Sequence, residues 1–258
     1  MKLYKIPIQK IQQPTLFSSR LKDPQGHAQM SYRYYPSWST QTLFLFHGLV
    51  SNSLYLCPLA HRIAERKIAQ VVVPDWRGHG EDNRDLIWSK DSDVIQDFEE
   101  LLIQIKMRTA VQRISCLGHS FGAQWLSKIL QTKPESLQID QNIFVAPYFQ
   151  KEQMKTGWME EENGHYKIIW PKGPRTGKER LLYPMDFLDH FGAKSQERQA
   201  LVDSHSVQVI WAGQDEILHP APAMTFAKSQ TFQEATHMGI VMDPVFIEKL
   251  CDELETVI

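Results

Sequence analysis

Five short runs of apolar residues, each followed by turn-forming residues, constrain the fold of this chain more than any other feature. The runs occupy residues 42–48, 69–75, 113–120, 142–147 and 207–215. Their Val, Ile, Leu and Phe residues follow one another without polar alternation, which is typical of strands covered on both faces. Stretches with helical spacing of apolar residues lie between them, at 54–66, 93–108 and 122–133. This alternation predicts an α/β fold with a mostly parallel, doubly wound sheet.

Four further segments complete the predicted sheet and its helices. Residues 1–8 and 28–37 alternate in part and are expected to form antiparallel strands at one edge of the sheet. Residues 230–235 indicate a last strand, and residues 244–258 have the apolar spacing of an amphipathic helix. We expect a single domain over residues 1–258, a length that allows a well-buried core.

Residues 148–205 interrupt this rhythm after the sixth predicted strand. Within them, Asn163-Gly164 separates two apolar stretches, and Asn-Gly in that setting indicates a β-hairpin. The insertion contains too many aromatic residues for a solvated loop. We therefore expect a cap, or lid, whose aromatic side chains contact the substrate: Trp158, Tyr166, Trp170, Tyr183 and Phe187.

The composition argues against several classes of partner. A formal charge of -2 gives no strong field for a nucleic acid or an anionic membrane. No segment approaches the roughly 18 uninterrupted apolar residues of a membrane span, and the N-terminus lacks the apolar core of a signal peptide. Three widely separated cysteines suit reduced thiols. These features predict a cytoplasmic protein, and they leave its oligomeric state open.

The pentapeptide Gly-His-Ser-Phe-Gly, residues 118–122, places Ser120 where a strand gives way to a helix. The G-x-S-x-G form presents a serine oxygen on a sharp strand-to-helix turn, although five common residues could also form an ordinary tight loop. A serine hydroxyl is a poor nucleophile unless a base removes its proton and a carboxylate holds that base. In open α/β sheets such groups meet at the carboxyl ends of strands. Ser120 is therefore the candidate nucleophile.

Asp215 and His237 are the candidate acid and base. Asp215 closes the fifth apolar run, and His237 follows the last predicted strand. Glu216 is the nearest alternative acid, but one residue further along it is expected to point elsewhere. His219 follows Asp215 too closely to come from a different strand end, which argues against it as the base.

A tetrahedral intermediate also needs two backbone N–H groups aimed at its negative oxygen. The candidates are the N–H of Phe121, at the start of a helix, and the N–H of Leu49, in the loop after the first run. Gly48 is expected to permit unusual backbone angles there, and His47 to bind neighbouring backbone.

The segment DWRGHGED, residues 75–82, gathers Asp, Arg and His between glycines. Its spacing fits neither a metal site nor a phosphate-binding loop. We interpret it as a structural loop with a hydrogen-bonded Asp75. The sequence gives no reason to propose a cofactor or a metal.

In this order, the motifs LFHGLV, VVVPDWRGHGED, CLGHSFGAQW, IWAGQDEIL and ATHMGIV resemble the α/β-hydrolase superfamily. The resemblance is strongest to its monoacylglycerol lipase and lysophospholipase-like branch, of the serine aminopeptidase S33 type. It covers residues 42–258 apart from the insertion, where that branch carries a mostly helical cap. The resemblance implies an α/β-hydrolase fold with Ser120 as nucleophile, His237 as base and Asp215 as acid. It also implies an oxyanion hole formed by Leu49 and Phe121.

The resulting hypothesis is a serine hydrolase that cleaves a small-molecule carboxylic ester through an acyl-enzyme on Ser120. The same residues could serve thioester or amide cleavage, and related proteins run cofactor-free lyase or carbon–carbon bond chemistry on this scaffold. A protein of this fold that only binds a ligand is a further alternative. The presence of Ser, Asp and His together argues against it, because a binding protein has no need of a strained elbow.

Overall fold

A computed structural model of the chain describes residues 15–19, 30–77, 79–80, 91–109, 111–131, 138–149, 153–169, 182–184, 207–219 and 228–258. The strands are β1 (Thr15–Ser19), β2 (Met30–Tyr35), β3 (Gln41–Phe46), β4 (Gln70–Pro74), β5 (Arg113–His119), β6 (Gln141–Val145), β7 (Met159–Glu162), β8 (His165–Ile168), β9 (Leu182–Pro184), β10 (Val207–Ala212) and β11 (Lys228–Phe232). The helices are α1 (Cys57–Glu65), α2 (Asp91–Arg108), α3 (Gly122–Gln131), α4 (Gly239–Met242) and α5 (Pro244–Val257). A 3-10 turn, Ser53–Leu56, precedes α1.

Among the described residues, eight strands form the main sheet in the order β1-β2-β4-β3-β5-β6-β10-β11. From β4 to β11 every neighbouring pair is parallel, whereas β1 pairs antiparallel with β2, and β2 with β4. The prediction of a mostly parallel sheet with antiparallel N-terminal strands is confirmed. The partner of β2 was not predicted: it is the short segment Thr15–Ser19, and the segment proposed for this place, residues 1–8, lies outside the described residues.

Both faces of the sheet are covered, which explains the unbroken apolar runs. In β3, Leu43 and Leu45 belong to one buried cluster with residues of α1, α4 and α5. Phe44 and Phe46 belong to a second cluster with residues of α2 and α3. The polar ends of the runs, beyond the last residue of each strand, form the loops at the carboxyl edge of the sheet.

The insertion contains a small sheet in the order β7-β8-β9. Asn163 and Gly164 join β7 to β8 with φ angles of 53° and 75°, as a tight hairpin turn requires, so the predicted hairpin is confirmed. Tyr166 is fully buried in the cluster that includes α2 and α3, and Trp158 is also buried. The side chains of Trp170, Tyr183 and Phe187 lie outside the described residues.

All three cysteines, Cys57, Cys116 and Cys251, are free thiols. In the described part of the chain, no helix combines the length and the hydropathy that crossing a bilayer requires.

Candidate active site

Ser120 lies on a sharp turn between β5 and α3. Its φ of 55° is in the left-handed region, which is strained for a residue other than glycine. Its N–H donates to the Val145 carbonyl at 3.0 Å, and its own carbonyl accepts from the N–H of Ala123 at 3.0 Å. Gly122 begins α3 against the end of β3, where an added Cβ would lie 2.1 Å from the carbonyl oxygen of Phe46. Close backbone packing therefore holds the turn in its strained form.

The structure brings the side chains of Ser120, His237 and Asp215 together in one hydrogen-bonded chain. The Ser120 hydroxyl donates to His237 Nε2 at 2.8 Å, and His237 Nδ1 donates to Asp215 Oδ2 at 2.7 Å. The three residues follow β5, β10 and β11, three strands whose carboxyl ends meet at one edge of the sheet. Because Nδ1 carries the proton shared with the carboxylate, Nε2 has a lone pair available for the serine proton.

The carboxylate of Asp215 is held in its charged form. Burial alone would raise its pKa, but His237 and the N–H groups of Leu218 and Ile217 outweigh burial and leave the pKa below its ordinary value. The N–H of Leu218 donates to Asp215 Oδ1 at 2.7 Å, and that of Ile217 at 2.9 Å. The ammonium group of Lys155 donates to the backbone carbonyl of Asp215.

Two further side chains bind the backbone of His237, and sequence reasoning did not identify this role for either. Glu216 Oε2 accepts from the His237 N–H at 2.7 Å, and His119 Nε2 donates to the His237 carbonyl at 2.9 Å. The ring of His237 binds Asp215, as predicted, whereas Glu216 binds the backbone of the same residue. The sequence feature that could have identified them is their position beside a predicted catalytic residue, because Glu216 follows Asp215 and His119 precedes Ser120.

The loop after β3 approaches Ser120 closely. A Cβ added to Gly48 would lie 3.1 Å from Ser120 Cβ and 3.4 Å from Ser120 Oγ. The prediction that Gly48 supplies unusual backbone angles is wrong: the left-handed conformation falls on Val50, with a φ of 53°. At position 48 glycine instead leaves room for the close approach to Ser120. The N–H of Leu49, next to it, donates no hydrogen bond to any described residue.

His47 fixes this loop through both ring nitrogens. Its Nδ1 donates to the Gly48 carbonyl at 2.9 Å, and its Nε2 accepts from the Trp76 N–H at 3.3 Å, so the predicted backbone contact is present. Burial, with a smaller contribution from nearby His79, lowers the pKa of His47 to about 3. The ring is therefore a neutral structural link between the loops after β3 and β4.

Asp75 is structural in the way that the sequence predicted. The residue is fully buried, and its carboxylate accepts from the Ser31 hydroxyl at 2.8 Å and from the Ser53 N–H at 2.6 Å. Within the described ranges, no group of three or more His, Cys, Asp or Glu residues could hold a metal ion.

Phe121, the residue after Ser120, begins a row of buried aromatic rings. Its ring lies 5.7 Å from that of Tyr148 and 5.3 Å from that of Trp125, which in turn lies 5.1 Å from Trp76. Partly buried apolar side chains pack against the same cluster from the loops around Ser120: Leu49, Val50, Met154 and Ile217. Apolar side chains thus belong to the loops on either side of Ser120.

Comparisons with solved structures show the α/β-hydrolase fold. A soluble variant of monoglyceride lipase from Saccharomyces cerevisiae, in complex with a substrate analog, matches with a TM-score of 0.67 at 16% identity over 96% of each chain. A lipase-esterase related protein from Clostridium acetobutylicum matches with a TM-score of 0.62 at 15% identity, over 89% of this chain and 99% of that one. The thioesterase domain of the curacin biosynthetic pathway matches with a TM-score of 0.60 at 16% identity, over 93% of this chain and 99% of that one.

Sequence comparisons place the chain in a family. No curated protein matches it significantly in sequence. The family described as serine aminopeptidase, S33 matches residues 39–183, more than half of the chain, and the match includes Ser120 and the loop after β3. The resemblance inferred from the motifs is thereby confirmed. The chain belongs to the serine aminopeptidase S33-like family of α/β hydrolases.

Proposed function

We propose that the protein is a serine hydrolase that cleaves carboxylic esters through an acyl-enzyme on Ser120. The observation that carries this proposal is the continuous hydrogen-bonded chain from the Ser120 hydroxyl through His237 to the Asp215 carboxylate. It supplies a nucleophile, a base with a free lone pair and a carboxylate that stabilises the protonated base. The family and the lipase and esterase neighbours support the choice of substrate class.

The reaction would proceed in two halves. Ser120 Oγ bonds to the ester carbonyl carbon as its proton passes to His237 Nε2, and the tetrahedral intermediate then releases the alcohol, which takes that proton. In the second half a water molecule gives a proton to His237 and attacks the acyl group. The proton returns to Ser120 Oγ as the carboxylic acid leaves. Asp215 keeps its charge throughout and stabilises the imidazolium form of His237.

The N–H groups of Leu49 and Phe121 would bind the negative oxygen of the intermediate. The close approach of Gly48 to Ser120 brings the Leu49 peptide beside the nucleophile. Phe121 directly precedes α3, where the helix dipole favours negative charge. Removing one such donor typically costs about a hundredfold to a thousandfold in turnover.

An apolar acyl group suits the surroundings of Ser120. Leu49, Val50 and Ile217 are partly exposed apolar side chains on the loops that carry the site. We further propose that the insertion, residues 148–205, acts as a lid over this surface, since Met154 at its start pairs with Leu218 next to the Asp215 turn. The three free thiols support a reducing compartment such as the cytoplasm.

A fluorophosphonate probe tests this proposal directly, because it reacts covalently with activated serines. The expected result is one labelled residue, Ser120, mapped by mass spectrometry, with labelling lost in Ser120→Ala and in His237→Ala. Ser229→Ala, at an exposed serine of β11, is the matched control and should label like the wild type. A folded wild-type protein that takes up no probe would instead favour a ligand-binding role.

Substrate class is tested by turnover of matched p-nitrophenyl esters, acyl thioesters and anilides with the same acyl chains. We expect the ester series to be cleaved fastest, with a preference for an apolar acyl chain. Faster turnover of thioesters would replace the ester assignment with a thioesterase. Labelling of Ser120 without turnover of any of the three would point to lyase or carbon–carbon bond chemistry.

A further inference from the structure

The backbone of His237 is held from two sides by side chains that have no part in the reaction proposed above. Its N–H donates to Glu216, and its carbonyl oxygen accepts from His119. We propose that His119 and Glu216 are positioning residues, which keep the His237 ring between Ser120 and Asp215 while the ring gains and loses a proton. This inference rests on the proposed function, because the position of the ring matters only if His237 acts as the base.

The loop that carries His237 does not satisfy this peptide by itself. Internal hydrogen bonds of the loop, such as those from Ala235 to Phe232 and from Ile240 to Thr236, do not involve the His237 peptide. The N–H and the carbonyl of His237 instead reach across to Glu216, in the loop after β10, and to His119, the last residue of β5. The peptide of the histidine is therefore held by neighbouring segments rather than by its own loop.

Each of the two contacts comes from the residue next to one partner of the ring. Glu216 follows Asp215, which binds Nδ1, and His119 precedes Ser120, which binds Nε2. A shift of His237 relative to either segment would therefore stretch a backbone contact and a ring contact together. This arrangement sets the position of the base relative to both of its partners at once.

His119 is suited to this task because it stays neutral. It is 2% exposed, and its Nε2 carries the proton that is donated to the His237 carbonyl. Burial, followed by the charge of neighbouring His237, lowers the pKa of His119 to about 3. The two rings lie 5.0 Å apart, so a charged His119 would repel the imidazolium that the reaction requires.

Paired substitutions separate positioning from mere packing. His119→Leu and Glu216→Leu remove the donor and the acceptor, whereas His119→Gln and Glu216→Gln keep an N–H donor and a carbonyl acceptor at a similar reach. We expect each Leu variant to lose roughly a hundredfold in kcat for a p-nitrophenyl ester with an unchanged KM, as for small misplacements of a catalytic group. The Gln variants should keep most of the kcat. Glu234→Leu, at an exposed carboxylate of the same loop, is the matched control and should behave like the wild type.

A second measurement does not depend on turnover. The His237 Nδ1 proton, shared with Asp215, should give a downfield proton resonance in the wild type and in Glu234→Leu, and a weakened or exchange-broadened one in both Leu variants. If the wild type cleaves no ester, the proposed function fails, while this resonance still tests the positioning. If His119→Leu does not fold, His119→Asn, with its shorter side chain, replaces it with the same expected loss. Folded Leu variants with wild-type kcat and resonance, or Gln variants as impaired as the Leu variants, would overturn the proposal.

Discussion

Two regions meet at Ser120, and different interactions hold them in place. The elbow side, residues 47–50 and 120–122, depends mainly on its backbone, with one side-chain link from His47: Ser120 and Val50 have φ angles of 55° and 53°, and Gly122 packs against the Phe46 carbonyl. The base side, residues 215–219 and 235–239, depends on side chains. There the carboxylates of Asp215 and Glu216 accept backbone N–H groups, and Asp215 also binds the His237 ring.

This difference predicts two kinds of failure. Where backbone packs against backbone, an added methyl group has no room, and the neighbours that must move are themselves in the sheet. Where side chains hold a loop, an isosteric change keeps the shape and removes only a charge or a proton. Substitutions that press a new side chain against fixed backbone on the elbow side should therefore damage the fold, and isosteric ones on the base side should damage the chemistry.

The largest effect is expected for Gly122→Ala on the elbow side. The new Cβ would lie 2.1 Å from the Phe46 carbonyl oxygen and 2.9 Å from that of His47, both fixed backbone atoms. We expect a loss of more than about 3 kcal/mol in the free energy of unfolding, measured in urea, or no folded protein at all. Ser229→Ala, at an exposed position of β11, is the control. A stably folded Gly122→Ala protein would show that the elbow can relax.

Asp215→Asn on the base side should leave the fold intact and remove nearly all turnover. The amide is isosteric and can still accept the two backbone N–H groups, but it no longer stabilises the imidazolium or selects the Nδ1–H tautomer. We expect kcat to fall by about four orders of magnitude, while the protein stays folded with a melting temperature only slightly lowered by the loss of the charge. Asp243→Asn, at the start of α5, is the matched control and should retain full activity. Near-normal turnover in Asp215→Asn would show that the acid is another residue.

Gly48→Ala tests whether one position on the elbow side can accept an added Cβ without unfolding the protein. The added Cβ would lie 3.1 Å from Ser120 Cβ, so the loop after β3 must give by a few tenths of an ångström. We expect about a tenfold loss in kcat, since a displacement of 1 Å costs roughly a hundredfold, together with little change in stability. The test measures kcat alongside urea unfolding. Wild-type kcat would mean that this loop does not need its exact spacing from Ser120.

The fold could be predicted from the sequence where burial dominates. Strands β3 to β6 are buried on both faces, so each appears as an unbroken apolar run that ends in a turn. The strand β1 was missed because its sequence, TLFSS, is too short to alternate clearly and has no glycine or proline to mark its end. Its pairing with β2 depends on tertiary contacts, which the local sequence pattern does not determine.

The ring contacts of the candidate site could be predicted, but the contacts behind them could not. Ser120, Asp215 and His237 follow strand ends, and strand ends at one edge of a parallel sheet converge. The contacts of Glu216 and His119 with the His237 peptide depend on rotamers and on a loop conformation that no periodicity encodes. Likewise, the left-handed residue of the loop after β3 is Val50, a β-branched residue that no propensity rule would select.

The smallest expected effect is on the pH dependence of stability, and it comes from two buried neutral histidines. His47 lies on the elbow side, and the ring of His119 contacts the base side. Burial lowers both pKa values to about 3, whereas an unfolded chain titrates near the ordinary value of 6.5. Between these values the unfolded state binds more protons, so stability is full above pH 6.5 and falls as the pH decreases. Each histidine contributes up to about 1.4 kcal/mol per pH unit to that slope.

Urea unfolding at pH 7.5, 6 and 5 measures the slope. His47→Gln and His119→Gln should each flatten it by about 1.2 kcal/mol between pH 6 and 5, whatever their stability at pH 7.5. Ser229→Ala, at an exposed side chain that does not titrate, is the control and should leave the slope unchanged. The Asp215 carboxylate does not interfere, because its lowered pKa confines its own loss of stability to pH values near and below 3.8. Equal slope changes would mean that the two sides, although held by different interactions, depend alike on a buried neutral imidazole. If only one of the two variants flattens the slope, then the histidine that was replaced in the other variant already takes up a proton in the folded protein.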